Sequence, residues 1–394
     1  MFKVLEKSAY SIRSVQMDFL RYLYVRIDRR NRLIAITGPR GTGKTTLLLQ
    51  LAKKYDSLNQ VLYVSLHDLY FTTSALSDLA KRFHKQGGKL LLIDDLHALP
   101  TWAEELRRIH LSIDDLQVIV AGATILDLHK QDPDLGRRIA HYPLKELSFR
   151  EYLHVRHSIK LPVVHWRDVL ERDEQVAADL VGDFQPLNYL SEYQKTGAYL
   201  YFEGDVLAYH QRVLQDVRRT IQTDLLTVEN VDYVNVVRYK KLLHLLAEQG
   251  PYRPNVLKLS EQTGLTRNAV VRALQLLEKM QLVHALYADS RGPTILNKPD
   301  CLWLRNTNMM FAIARNTNAS SLSQTFLLQH LMDATLSVPP VGDLLIDGQY
   351  ALAFEGKKQA KKSGKKAFDG WTVHPELQRG EGKKLPLWLF GLGY

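Results

Sequence analysis

The chain has 394 residues, a formal net charge of +10, 45% hydrophobic residues and a single cysteine, Cys301. That length predicts two or three domains, and no apolar run approaches the roughly eighteen residues of a membrane-spanning helix. One cysteine excludes a disulfide framework and points to the cytoplasm, while the positive charge fits a polyanion partner as readily as a merely solubilising surface.

The first residues lack the apolar core and small-residue cleavage site of a signal peptide. Val15, Phe19, Leu23 and Ile27 recur at helical spacing and predict a helical lead-in over residues 1–30. From residue 33 to 147 the pattern alternates strand and helix in the order that builds a parallel sheet. Strands are predicted at 33–37, 61–65, 89–93, 117–121 and 142–147, with helices at 44–55, 74–85, 102–112 and 125–130.

The loop after the first strand reads Gly38-Pro39-Arg40-Gly41-Thr42-Gly43-Lys44-Thr45, followed by Thr46. This spacing, G-x-x-x-x-G-K-[ST], follows from phosphate chemistry. The glycines let backbone N–H groups approach a polyphosphate, and the next helix presents its N-terminus to the same anion. Lys44 is placed for the β- and γ-phosphates and the Thr45 hydroxyl for Mg²⁺. Two strands later the apolar run Leu90-Leu91-Leu92-Ile93 ends in Asp94-Asp95. Asp94 is the candidate second metal ligand, and Asp95 the group that orients or deprotonates water. Aspartate is a methylene shorter than the more usual glutamate, which predicts slow turnover.

Thr124, beyond the fourth strand, is placed either to sense a γ-phosphate or to cap a helix. Arg137 and Arg138 follow a Pro133-Asp134-Leu135-Gly136 turn, where either neutralises transition-state charge or forms a surface salt bridge. His67, His84, His97 and His110 show no metal-ligand spacing and read as ordinary core or surface residues.

At Ser148 the pattern changes to a capping box, Ser148-x-x-Glu151, and residues 148–234 read as a helical lid or connector. Residues 235–290 read as an amphipathic helix, then a helix-turn-helix around Thr263-Gly264-Leu265, then a wing. In its second helix Val270, Val271, Leu274 and Leu277 suit a core. Arg267, Asn268 and Arg272 remain outside for phosphates and base edges, unless the module is a protein-binding spacer. Residues 291–394 suggest strands at 302–305, 344–346, 349–355 and 384–390, a helix at 323–333, and a lysine cluster from Lys357 to Lys366.

The stretches GPRGTGKTTLLLQ, LLIDDLHALPTW, VIVAGAT and YPLKELSFREYL, with the Gly136-Arg137-Arg138 turn, resemble bacterial AAA+/STAND-related ATPases widespread in Bacteroidetes. VGDLLIDGQYALAFEGK and LPLWLFGLGY extend the likeness through the C-terminal region. The resemblance implies an α/β P-loop core of ASCE type over residues 1–147, with helices on both faces of a parallel sheet, ATP and Mg²⁺ as ligands, and a winged-helix module. It also implies a C-terminal α+β domain like the PD-(D/E)XK restriction-endonuclease fold. There Asp343 and Glu355 would hold a divalent metal and Lys357 would position water, while Gln324 stands where a further acid is expected. Three readings follow: an ATP-driven switch, an ATP-regulated binder of double-stranded DNA with nuclease ancestry, and a nucleotide-gated scaffold for a protein partner or a homo-oligomer.

Overall fold

The computed structural model describes residues 2–394 except 54, 56, 124–131, 182–183, 229–230, 249, 289–297, 332 and 355–368. It contains two units, residues 1–146 with 219–231, and residues 147–218 with 232–394.

The first unit is built on five strands: β1 Leu33–Thr37, β2 Val61–Ser65, β3 Leu90–Asp94, β4 Gln117–Gly122 and β5 Ala140–Pro143. They form a parallel sheet in the order β2-β3-β4-β1-β5. Parallel neighbours need crossover connections, and the helices Lys44–Ala52, Leu76–Lys85 and Trp102–Ser112 lie in three of these links. Leu33, Ala35, Leu62, Val64, Leu91, Ile93, Val118 and Val120 share one core with the apolar faces of the latter two helices. The alternate residues Ile34, Ile36, Leu90, Leu92 and Ile119 are buried as well. Side chains alternate between sheet faces, so this double burial explains the unbroken apolar runs at 33–36, 90–93 and 118–121 within β1, β3 and β4.

The pairing register aligns the carboxyl ends of the strands. Thr37 is opposite Gly122, and Ser65 is opposite Asp94. Because β4 lies between β1 and β3, the loop after β1 and the acids at the end of β3 meet along one sheet edge.

The N-terminal stripe is not one helix. Helices occupy Phe2–Ser14 and Leu23–Arg26, and residues 15–22 are non-helical. The physical reason lies at Arg21, which is 3% exposed. Its guanidinium donates to the carbonyls of Thr42, Lys145 and Glu146, a long-range demand that local periodicity does not encode. The last strand of the sheet also begins and ends earlier than residues 142–147 suggest. The predicted helix at 125–130 lies outside the described residues.

In the second unit the capping box at the start of the helix Phe149–His157 is formed. Ser148 Oγ accepts the Glu151 N–H at 3.1 Å, and the Glu151 carboxylate accepts the Ser148 N–H at 3.3 Å. Phe149, Tyr152, Trp166, Val169 and Tyr193 share a core with Phe326, Ile346, Phe354, Val373 and Trp388. Residues 148–196 therefore pack with the C-terminal strands β8 Leu336–Ser337, β9 Leu344–Ile346, β10 Tyr350–Phe354, β11 Trp371–His374 and β12 Lys384–Pro386. These strands form a mixed sheet in chain order, antiparallel from β8 to β10 and parallel from β10 to β12. Asp347, Gly348 and Gln349 link the paired Ile346 and Tyr350 of the β9–β10 hairpin, and Asp347 and Gly348 adopt φ of 50° and 69°, the positive values that Asp and Gly tolerate in a tight turn. Residues 384–390 are not one strand, since Leu387–Phe390 turns into a short helix whose side chains are all buried. An all-apolar run has no period to distinguish the two.

Between these segments lie helices Tyr233–Glu248, Val256–Thr263 and Arg267–Lys279, with Gly264 in the left-handed region at the turn. An antiparallel pair follows, β6 Val283–Leu286 with β7 Cys301–Leu304. Among the described residues no helix is long and apolar enough to cross a membrane.

Candidate phosphate-loop site

The loop joining β1 to the helix Lys44–Ala52 has a shape that its sequence explains. Gly41 and Gly43 adopt φ of 80° and 89°, so the backbone can curl without Cβ strain. Gly38 is needed for a different reason. A Cβ there would lie 2.3 Å from the Leu144 carbonyl oxygen and 3.2 Å from Thr42 Oγ1. Thr42 Oγ1 donates to the Pro39 carbonyl at 2.9 Å and closes the loop on itself.

Lys44 Nζ donates to the Gly38 and Pro39 carbonyls at 2.8 and 2.7 Å, which holds the ammonium inside the curl. Burial lowers its pKa, partly offset by the charges of Asp94 and Asp95. Thr45 Oγ1 donates to Asp94 Oδ2 at 2.5 Å. The loop hydroxyl and the strand-end carboxylate, 49 residues apart, thus share one point. Asp94 also accepts from Tyr63 Oη at 3.0 Å and from the Asp95 N–H at 3.0 Å. Burial raises the Asp94 pKa, and the adjacent Asp95 carboxylate adds to the rise, against the lowering effect of Thr45 and Lys44. The same surroundings push the Tyr63 phenol up, keeping it a donor.

Asp95 turns away from the strand at φ 55° and accepts from Ser65 Oγ at 3.1 Å. The remaining loop residue with a charged side chain, Arg40, donates through Nε to Asp224 Oδ2 at 3.0 Å and through a terminal nitrogen to Asp224 Oδ1. Asp224 closes a π-helical turn, Thr220–Asp224, a rare winding that recurs at functional sites. His97 Nε2 lies 3.5 Å from the same carboxylate. Sequence reading missed Tyr63, Ser65, Arg21, His97 and Asp224. Only Ser65, a polar end to an apolar strand beside the acidic one, carried a local signal.

Other candidates are placed differently. Thr46 is exposed on the helix that follows the loop. Arg137, in the helix Pro133–Arg138, pairs with Asp134 at 3.5 Å and bonds the Pro133 carbonyl, and is solvent-exposed. Thr124, Glu355, Lys357 and the rest of the lysine cluster lie outside the described residues. Asp343 accepts the Phe354 N–H at 3.1 Å, at the end of β10. Gln324 is buried, accepts from Trp303 Nε1 at 3.0 Å and donates to Ser320 Oγ at 3.0 Å. Arg267, Asn268 and Arg272 are exposed, and Val270, Leu274 and Leu277 are buried beneath them.

Residues 30–153 match the family model described as AAA domain. The uncharacterized protein MJ1637 of Methanocaldococcus jannaschii is 26% identical over 279 residues, covering 67% of this chain and 58% of that protein. The chain thus spans little more than half the length of this curated relative. Solved structures with partial likeness include AMPPCP-bound DnaA from Aquifex aeolicus, at 18% identity over 70% of this chain and 86% of that one. Another is C. elegans PCH-2, at 15% identity over 69% of each chain. Both have TM-scores of 0.26, a low overall superposition. The five-stranded parallel sheet and the glycine-rich loop after its first strand agree with the family match: residues 30–153 are similar to the AAA domain and have an α/β fold consistent with a P-loop NTPase.

Proposed function

We propose that this protein is a Mg²⁺-dependent ATPase whose phosphate loop acts as the control element of a nucleotide-driven switch. The observation that carries the reading is the Thr45–Asp94 contact, which puts a hydroxyl and a carboxylate together at the mouth of a glycine loop. Hard oxygen donors of this kind suit Mg²⁺, so the residues present fit the metal. When bound, Mg²⁺ would neutralise charge on the β- and γ-phosphoryl oxygens. The chain's own residues do the rest. Loop N–H groups and Lys44 bind the triphosphate, Thr45 and Asp94 hold the metal, and Asp95 orients the attacking water from the next residue. Lys44→Ala is expected to abolish ATP binding and turnover in the purified chain, and hydrolysis retained in that variant would sink the assignment.

A second reading concerns residues 233–304. Exposed Arg267, Asn268 and Arg272 over a buried Val270-Leu274-Leu277 face support a helix-turn-helix with a wing that binds double-stranded DNA. Phosphate neutralisation releases counterions, so the affinity is expected to fall steeply with salt. Affinity unchanged in an Arg267→Glu/Arg272→Glu variant would remove this reading.

A further inference from the structure

The geometry points to a second metal site beside the phosphate loop, formed by His67, Asp95 and His97 and suited to a zinc-class divalent cation. These residues lie far from any recognised ligand spacing, and the sheet brings them together. Ser65 pairs with Asp94 across β2 and β3, so the residues just beyond each strand, His67 on one side and Asp95 and His97 on the other, meet at the same edge. One ligand atom from each lies within 4.8 Å of the other two. His67 Nε2 is 4.0 Å from Asp95 Oδ2, and the two imidazole rings stand edge to face with centroids 6.0 Å apart.

The independent observation is at His97. The residue is 5% exposed, yet its Nδ1 is a buried ring nitrogen with no hydrogen-bond partner among the described residues. A polar atom so placed costs free energy unless something satisfies it. Its other nitrogen, Nε2, faces the Asp224 carboxylate at 3.5 Å. The Arg40 guanidinium approaches the same nitrogen to 3.4 Å. With the ring proton on Nε2 and directed at Asp224, that carboxylate orients the ring and leaves the Nδ1 lone pair for a metal. Two imidazoles and one carboxylate form a three-ligand set with an open fourth position, preferred by Zn²⁺, Co²⁺ or Ni²⁺ over the harder Mg²⁺. His67 is the exposed member, with its side chain 54% exposed.

A cation here engages Asp95, so under the proposed hydrolysis it withdraws the water-orienting carboxylate and links turnover to transition-metal supply. The binding site itself does not depend on that reading.

The test is a titration of the untagged full chain with Co²⁺, followed by its visible d–d absorption and repeated with Zn²⁺ as competitor and Mg²⁺ in excess. One saturable Co²⁺ signal is expected, displaced by Zn²⁺ and insensitive to Mg²⁺. His67→Ala, at an exposed position, is expected to abolish it, and Asp224→Asn to weaken it about 10–100-fold. Lys44→Ala is expected to leave it intact, which separates failure of this site from failure of the triphosphate site. Absence of a Co²⁺ signal, its persistence in both His67→Ala and His97→Gln, its loss in Lys44→Ala, or its displacement by Mg²⁺ would each overturn the proposal.

Discussion

Arg40 and Asp224 form a two-pronged ion pair across 184 residues of sequence, tying the phosphate loop to a π-helical turn far down the chain. The Asp224 side chain is 1% exposed and that of Arg40 23%, so the pair is shielded from bulk water. A guanidinium meeting both oxygens of one carboxylate is a strong, directional contact. It gives the loop a partner outside its own strand-helix unit.

Removing one member of such a pair strands the other. Asp224→Ala is expected to cost about 3 kcal/mol of stability, measured by urea unfolding of the first unit. The double-mutant cycle with Arg40→Ala should return a coupling of about 1–3 kcal/mol. Strictly additive effects would show that the pair contributes nothing.

Gly38 is constrained by space and Gly87 by backbone conformation alone. At Gly38 an added methyl collides with the Leu144 carbonyl, so Gly38→Ala is expected to displace the loop, cost about 1–3 kcal/mol and impair nucleotide binding. Gly87 has φ +90° with no atom near an added Cβ, so Gly87→Ala should cost about 1 kcal/mol and leave binding unchanged. Fluorescent-nucleotide titration and thermal melts of both variants provide the comparison. Equal losses of binding would contradict the steric argument.

Asp94 and Asp95 are neighbours with different expected roles. Asp95→Asn keeps an acceptor for Ser65 Oγ but removes the carboxylate proposed to orient water. Turnover is expected to fall about 10²–10⁴-fold with nucleotide affinity preserved. A matching loss of affinity would place Asp95 among the binding groups instead.

Glu278, on the helix Arg267–Lys279, is raised to about 7 by burial, against the lowering effect of its hydrogen bond from Tyr287 at 3.3 Å. The folded state therefore holds its proton more tightly than the unfolded chain, whose glutamate titrates near 4.5. This contribution to stability is full below pH 4.5 and is lost as pH rises through about 7. Glu278→Gln should remove that decline, stabilising the protein at pH 8 by on the order of 1–3 kcal/mol and changing it little at pH 4. Thermal unfolding of both proteins across that pH range checks the sign, and parallel curves would refute it.

The phosphate loop was legible because its chemistry is local. Gly38 to Thr45 are contiguous, the strand before and the helix after carry their own periodicity, and Asp94 is flagged by the apolar strand it ends. The strands at 33–37 and 61–65 coincide with the structure: the first is buried on both faces and runs apolar up to Thr37, and the second keeps Val61, Leu62 and Val64 buried with Tyr63 and Ser65 half-buried. Legibility failed where a residue answers to a distant partner. Arg21 breaks the helical stripe of the N-terminus because three remote carbonyls claim its guanidinium. Leu387–Phe390 was unreadable as helix because every position is apolar.

By itself, the amino-acid sequence determined the alternation that builds the parallel sheet, the glycines that let the loop curl, and the residue types set at its mouth. Short-range sterics and side-chain period suffice for those. Only the tertiary structure decided that Thr45 meets Asp94, that Asp224 returns to hold Arg40, and that His67 stands beside Asp95 and His97. Those juxtapositions depend on strand order and register, which arise from packing the whole sheet and are written in no single stretch of chain.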